Sequence, residues 1–144
     1  MAEAREGYVN EWLIAAELNL RDAEVLCFYG GSNGNMIFHL RQALECGMKA
    51  LLADAGTPPT HSFSKLKEYL REKGIDIDGE EEVKPHLKIL NKITEDDLRY
   101  PYIDDFNAPT IPWTGIWRDE ALEIWRAAKD MHEWIVKKAT TRAA

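Results

Sequence analysis

Apolar residues in this chain recur every three or four positions through long stretches, and no segment shows convincing alternation at every second position. That periodicity constrains the fold more than any other feature, because it marks one face of a helix and does not fit a half-buried strand. The first stretch runs from about Tyr8 to Phe28, with Val9, Trp12, Leu13, Ala16, Leu20, Ala23 and Cys27 on one face. The segment from Gly30 to Asn35 holds three glycines in six residues and is expected to end it. It lacks the Gly-Lys-Ser/Thr of a phosphate-binding loop and is expected to be a turn.

A second helix is expected from about Met36 to Ala55, with a core stripe of Ile37, Leu40, Leu44, Met48, Leu51 and Leu52. Gly47 on this helix allows close approach of a neighbour, and Gly56 followed by Pro58 and Pro59 marks its end. Thr60 or Ser62 is a cap for a third helix through about Lys73, which Gly74 ends. Ile75 to Gly79 is expected to be a turn. A shorter helix follows from about Glu81 to Ile93, with its ordered part beginning nearer Lys84 because Pro85 suits only a first turn. Thr94 to Asp97 has the character of a fresh N-cap.

Tyr100 to about Gly115 carries Pro101, Pro109 and Pro112, and an ordered but irregular loop rich in aromatics is expected there. The last helix spans about Trp117 to Ala139. These elements predict one all-α domain over residues 1–144, an antiparallel up-and-down bundle of four long helices and one shorter helix. A chain of 144 residues, 45% apolar and 30% charged, can bury such a core without metal or disulfides. Cys27 and Cys46 fall inside helices, so free thiols in a cytoplasmic protein are expected. The opening has no signal-peptide h-region, and no apolar run is long enough to span a bilayer.

The net charge of −7 argues against broad, sequence-independent DNA binding, while leaving room for a small nucleotide or RNA site. Several chemistries are excluded by pattern. No Glu-x-x-His pair supports a carboxylate di-metal centre, the four histidines lack zinc spacing, and no nucleophile elbow occurs, so neither metal nor cofactor is expected.

Three groups of residues are candidate sites. Arg126 and His132, with five residues between them, pair a phosphate-binding side chain with an acid–base one. On one regular helix they point about 120° apart, so one subunit does not converge them, although a dimer offers a composite site. The bland alternative is a core-edge histidine and a solvated arginine. His39, Gln42, Glu45 and Lys49 lie together opposite the core stripe, as a ligand or dimer face or else a solvated face with an ordinary i,i+4 pair. Arg99, Tyr100 and Tyr102 offer phosphate and base contacts, or simply pin the loop. His61 is expected to serve in local capping.

The run Phe38-His39-Leu40-Arg41-Gln42-Ala43-Leu44-Glu45, then Lys49-Ala50-Leu51, then Gly56 and His61-Ser62, and later Arg99-Tyr100-Pro101, resembles the HEPN family (higher eukaryotes and prokaryotes nucleotide-binding). The resemblance covers roughly residues 10 to 139. Cys46 and Gly47 depart from it, standing where relatives often carry a charged and a helix-favouring residue. The resemblance implies a helical bundle that forms a homodimer and acts as a nucleotide-, RNA- or partner-binding module beside a minimal nucleotidyltransferase, in a toxin–antitoxin-like pair. It implies, as an alternative, a metal-independent endoribonuclease using Arg126 and His132. A purely structural, protein-binding bundle is the third reading.

Overall fold

The computed structural model describes the backbone of residues 2–53, 59–94, 102–103, 109–110 and 118–143, and the side chains of 8–53, 59–94 and 119–141. Five helices carry the architecture: α1 (Ala2–Tyr29), α2 (Asn33–Leu52), α3 (Phe63–Glu72), α4 (Lys84–Leu90) and α5 (Arg118–Ala143). A 3-10 turn, Ile77–Gly79, links α3 to α4. The all-α class expected from periodicity is the class found.

α2 is the central helix. It packs along α1 and also against α3 and α5, while α5 further contacts α1 and α4. Apolar residues from all five helices meet in one core, which includes Cys27, Ile37, Leu44, Leu66, Leu90, Ile124 and Ile135. α2 therefore has little free surface, and fourteen of its twenty residues are buried.

The ends of the helices follow local chemistry. Gly30 and Gly31 take positive φ of 116° and 147°, a region closed to most side chains, and turn the chain between α1 and α2. Ser32 then caps α2, its Oγ accepting from the Asn35 amide at 3.0 Å. The expected break through Asn35 is thus shorter than the glycine count implied. Gly34 lies in a first turn held by the Ser32 cap, where its low helix propensity is tolerated.

Ser62 caps α3 by accepting from the Lys65 amide at 3.3 Å. Gly74, at φ 84°, closes α3 with paired bonds from the Gly74 amide to the Arg71 carbonyl and from the Ile75 amide to the Leu70 carbonyl. α4 starts at Lys84, as Pro85 in its first turn requires, and is shorter than the expected span. α5 runs past Ala139, where the Thr140 and Thr141 hydroxyls donate back to carbonyls one turn earlier.

The long connection expected to be irregular contains a two-residue antiparallel ladder, Tyr102–Ile103 with Pro109–Thr110. Tyr102 pairs with Thr110, and Ile103 with Pro109. Gly56, Pro58, Glu95 to Pro101 and Trp117 lie outside the described residues. Among the described residues no helix is long and apolar enough to cross a membrane.

Candidate functional site

The polar residues of α2 do not form a solvated face. Arg41, Glu45 and Lys49, spaced four apart on one stripe, are 2%, 5% and 5% exposed. This corrects the expectation of an exposed i,i+4 pair. A helix flanked by three others has no outer side to give its charges, so they are buried and must find partners.

Glu45 is the hub. Its Oε2 accepts from Lys49 Nζ at 3.4 Å, and His61 Nδ1 lies 3.1 Å from both carboxylate oxygens. The Lys49 ammonium also sits 5.3 Å from the centroid of the Trp12 ring on α1. Arg41 donates from Nη1 to the Ile93 carbonyl and lies over the Phe63 ring, tying α2 to the turn after α4 and the start of α3.

His61, expected to cap locally, reaches across to α2 instead, and Ser62 does the capping. The sequence signal for Arg41 was its place one turn before Glu45 and two before Lys49 on the same stripe. The neighbouring Cys46 thiol is pushed up by burial and then by the Glu45 charge, with Lys49 opposing, so it stays protonated and unreactive. Cys27 and Cys46 are both buried and are not joined in a disulfide.

The other members of the expected α2 face part from this cluster. His39 turns to α1, with Nδ1 3.0 Å from Asn19 Oδ1 and 3.9 Å from Asp22. Gln42 is half-buried. Arg99 and Tyr100 lie outside the described residues, and of Tyr102 only the backbone is described.

Arg126 and His132 are not brought together. Arg126 lines a groove of about 370 Å³ with His86, Asp119, Glu123 and Asp130, between α4 and α5. His132 lines a different groove, about 240 Å³, with Glu17, Arg21 and Glu24 of α1 and Trp125 of α5. Burial holds the His132 imidazole below its ordinary range, against the opposing pull of Glu17 and Glu133. Among the described residues its Nδ1 is buried without a hydrogen-bond partner. No group of three or more potential metal ligands occurs among the described residues.

The chain matches the HEPN domain over residues 9–139. It belongs to the HEPN domain family. Its fold is similar to the crystal structure of TT1696 from Thermus thermophilus, at 26% identity and a TM-score of 0.65, covering 90% of this chain and 97% of that one. No functionally curated protein matches it. Within the HEPN match, the side chains of Glu45, Lys49 and His61 from the family-like run converge in space.

Proposed function

We propose that this HEPN domain is a binding module for a nucleotide or short RNA, working as a homodimer beside a minimal nucleotidyltransferase in a toxin–antitoxin-like pair. The observation that carries this reading is the Glu45–Lys49–His61 cluster. Two of its charges are withdrawn from water while the His61 ring stays 56% exposed, so the cluster links a rigid interior to the surface. Functional constellations are built in this way, with an exposed group fixed by buried ones.

An RNase centred on Arg126 and His132 fits less well. Each residue opens onto its own groove, and Asp119, Glu123 and Asp130 around Arg126 repel phosphate.

The outer face of α1 supports the homodimer. Ile14, Leu18, Val25 and Tyr29 are exposed on the side of the helix opposite Ala16, Ala23 and Cys27. An antiparallel, two-fold pairing centred between positions 21 and 22 sets Ile14 against the partner's Tyr29, Leu18 against the partner's Val25, and Arg21 against the partner's Asp22. The apolar pairs flank a charge pair of opposite sign, so the face complements itself.

The test has four arms. Mixed cellular RNA in EDTA is incubated with the protein and with an Arg126→Ala/His132→Ala variant; no cleavage by either is expected, and cleavage by the parent alone would overturn the reading. Calorimetry with AMP, ATP and a short oligoribonucleotide should show binding of at least one, and co-expression with a minimal nucleotidyltransferase should yield a complex. Absence of both would leave a structural bundle. Light scattering should give a dimer at micromolar concentration that Leu18→Glu converts to monomer.

A further inference from the structure

The groove between α1 and α5 runs into a seam that holds two unsatisfied polar atoms. Trp125 and His132 of α5 line it together with Glu17, Leu20, Arg21 and Glu24 of α1. Among the described residues, Trp125 Nε1 and His132 Nδ1 have no hydrogen-bond partner, and neither atom presents surface to a water molecule. Buried polar groups are almost always paired. Two such atoms in one seam mark it as the part of the bundle whose closure is least favourable.

We propose that the α1–α5 seam is a proton-operated gate, which opens locally when His132 is protonated while the rest of the bundle stays folded. The gate does not depend on what the domain binds.

The two imidazole nitrogens decide the matter. A neutral ring can leave Nδ1 without a proton, at the loss of one hydrogen bond. A protonated ring carries N–H on both nitrogens and needs two acceptors. In the closed seam Nδ1 has neither a protein acceptor nor contact with water. The charged form is disfavoured there, in keeping with the burial that holds this imidazole below its ordinary range. Opening brings water to Nδ1 and removes the obstacle.

The surrounding charges do not supply the missing acceptor. From α1, Glu17, Arg21 and Glu24 face the groove, and Glu17 is bonded to Arg21 at 2.8 Å. From α5, Lys129 and Glu133 face it, with Lys129 Nζ 5.4 Å from the centroid of the Trp125 ring. Glu17 and Glu133 draw a proton toward His132, but neither accepts from Nδ1. α2 packs against both helices, and its Arg41 is engaged with the Ile93 carbonyl and its Glu45 with Lys49 and His61. In the open seam a hydrated imidazolium keeps the attraction of Glu17 and Glu133 without the orphaned N–H.

The packing lets this seam part alone. α1 rests most extensively on α2, and α5 is held by α2 and α4 as well as by α1. Opening breaks the edge-on contact between Phe28 and Trp125, whose centroids lie 5.0 Å apart, and leaves the larger packings in place. It also brings water to the Trp125 indole N–H, so exchange of that proton reports the gate.

The test follows hydrogen exchange by NMR in the full ¹⁵N-labelled chain, from about pH 7.5 to about pH 5.5. The Trp125 indole is assigned by its contact with the Phe28 ring and by loss of its signal in Trp125→Phe. Relative to an unprotected indole at the same pH, it should be at least about tenfold less protected than the backbone amides of the buried residues Leu44 and Ile124, as for a local opening. Low concentrations of urea should leave its protection unchanged, because a local opening exposes little surface. The open state takes up the proton first as the pH falls, so protection should drop by up to about tenfold per pH unit below about 6.5. His132→Leu should abolish that dependence. The pH and urea comparisons within the parent need no variant and stand even where a substitution perturbs the fold.

Indole exchange that matches the core amides and follows global unfolding would overturn the gate. Local exchange that does not vary with pH would overturn it as well, as would a pH dependence that survives His132→Leu.

Discussion

Arg126 and His132 share α5 but open onto different grooves, one against α4 and the other against α1. Their variants should therefore behave independently. Arg126→Ala, at an exposed position, should change stability by less than about 0.5 kcal/mol. His132 should show a pH signature. Burial lowers its imidazole below the ordinary value, so the unfolded chain takes up the proton first as the pH falls. Neutral His132 is accommodated at no ionisation cost above about pH 6.5, and folding loses stability below it. His132→Leu should match or exceed the parent's Tm at about pH 7.5, because it removes a buried nitrogen without a partner. Its advantage should widen at about pH 5. A Tm difference that stays constant across that range would contradict the burial argument.

Asp78 gives the opposite sign. Burial acts to raise its carboxyl, but hydrogen bonds and charge from Lys67 and Arg71 outweigh this and hold it below the usual carboxylate range. The contacts are 3.0 Å from Lys67 and 2.8 Å from Arg71, and they tie α3 to the 3-10 turn. The stabilisation is complete above about pH 3.9 and is lost as the pH falls through the lower folded value. Asp78→Asn should lower Tm at neutral pH, and the gap should close in strong acid. It should also shrink in molar salt, because the groups are partly exposed. Thermal melts across pH and salt would check both trends.

Ser62 carries the start of α3 with one side-chain acceptor. Ser62→Ala should cost about 1 kcal/mol, measured by urea denaturation. Thr60→Ala, which removes only the Thr60 hydroxyl that accepts from the Ser62 amide, should cost less. Equal losses would mean that the local turn, and not the cap, sets the stability of this junction.

The sequence made the helices legible because their apolar stripes repeat at the helical period, and it made the Arg126–His132 divergence legible for the same reason. It misplaced Glu45 and Lys49. Periodicity assigns charged residues to the side opposite the core, a rule that holds for a surface helix and fails for α2, which is packed against α1, α3 and α5. His61 was missed for a related reason. Its neighbour Ser62 explains the local turn completely, whereas its partner Glu45 lies sixteen residues away and becomes adjacent only when α3 folds onto α2. Gly34 misled in the other direction, since glycine count marked a loop where a serine cap holds a helix.

At Gly47, α2 approaches α5 closely enough to leave little room for a side chain. A Cβ there would lie 3.0 Å from Ile135 Cδ1 and 3.3 Å from Cγ2. Ile135 is fully buried and β-branched, so it has little freedom to yield. Gly47→Ala gains about 1 kcal/mol of helix propensity, but overpacking typically costs about 1–3 kcal/mol, so the net change should be destabilising. Ile135→Val removes the nearest atom and alone should cost about 1 kcal/mol. In the double variant the added methyl occupies the space that Cδ1 vacates. The pair should therefore be more stable than the sum of the single losses by at least about 0.5 kcal/mol, the range seen for residues in contact. Chemical denaturation of the four proteins measures this coupling directly. Strict additivity would show that α5 shifts as a unit to admit the methyl, and that Gly47 is not what fixes the approach of the two helices.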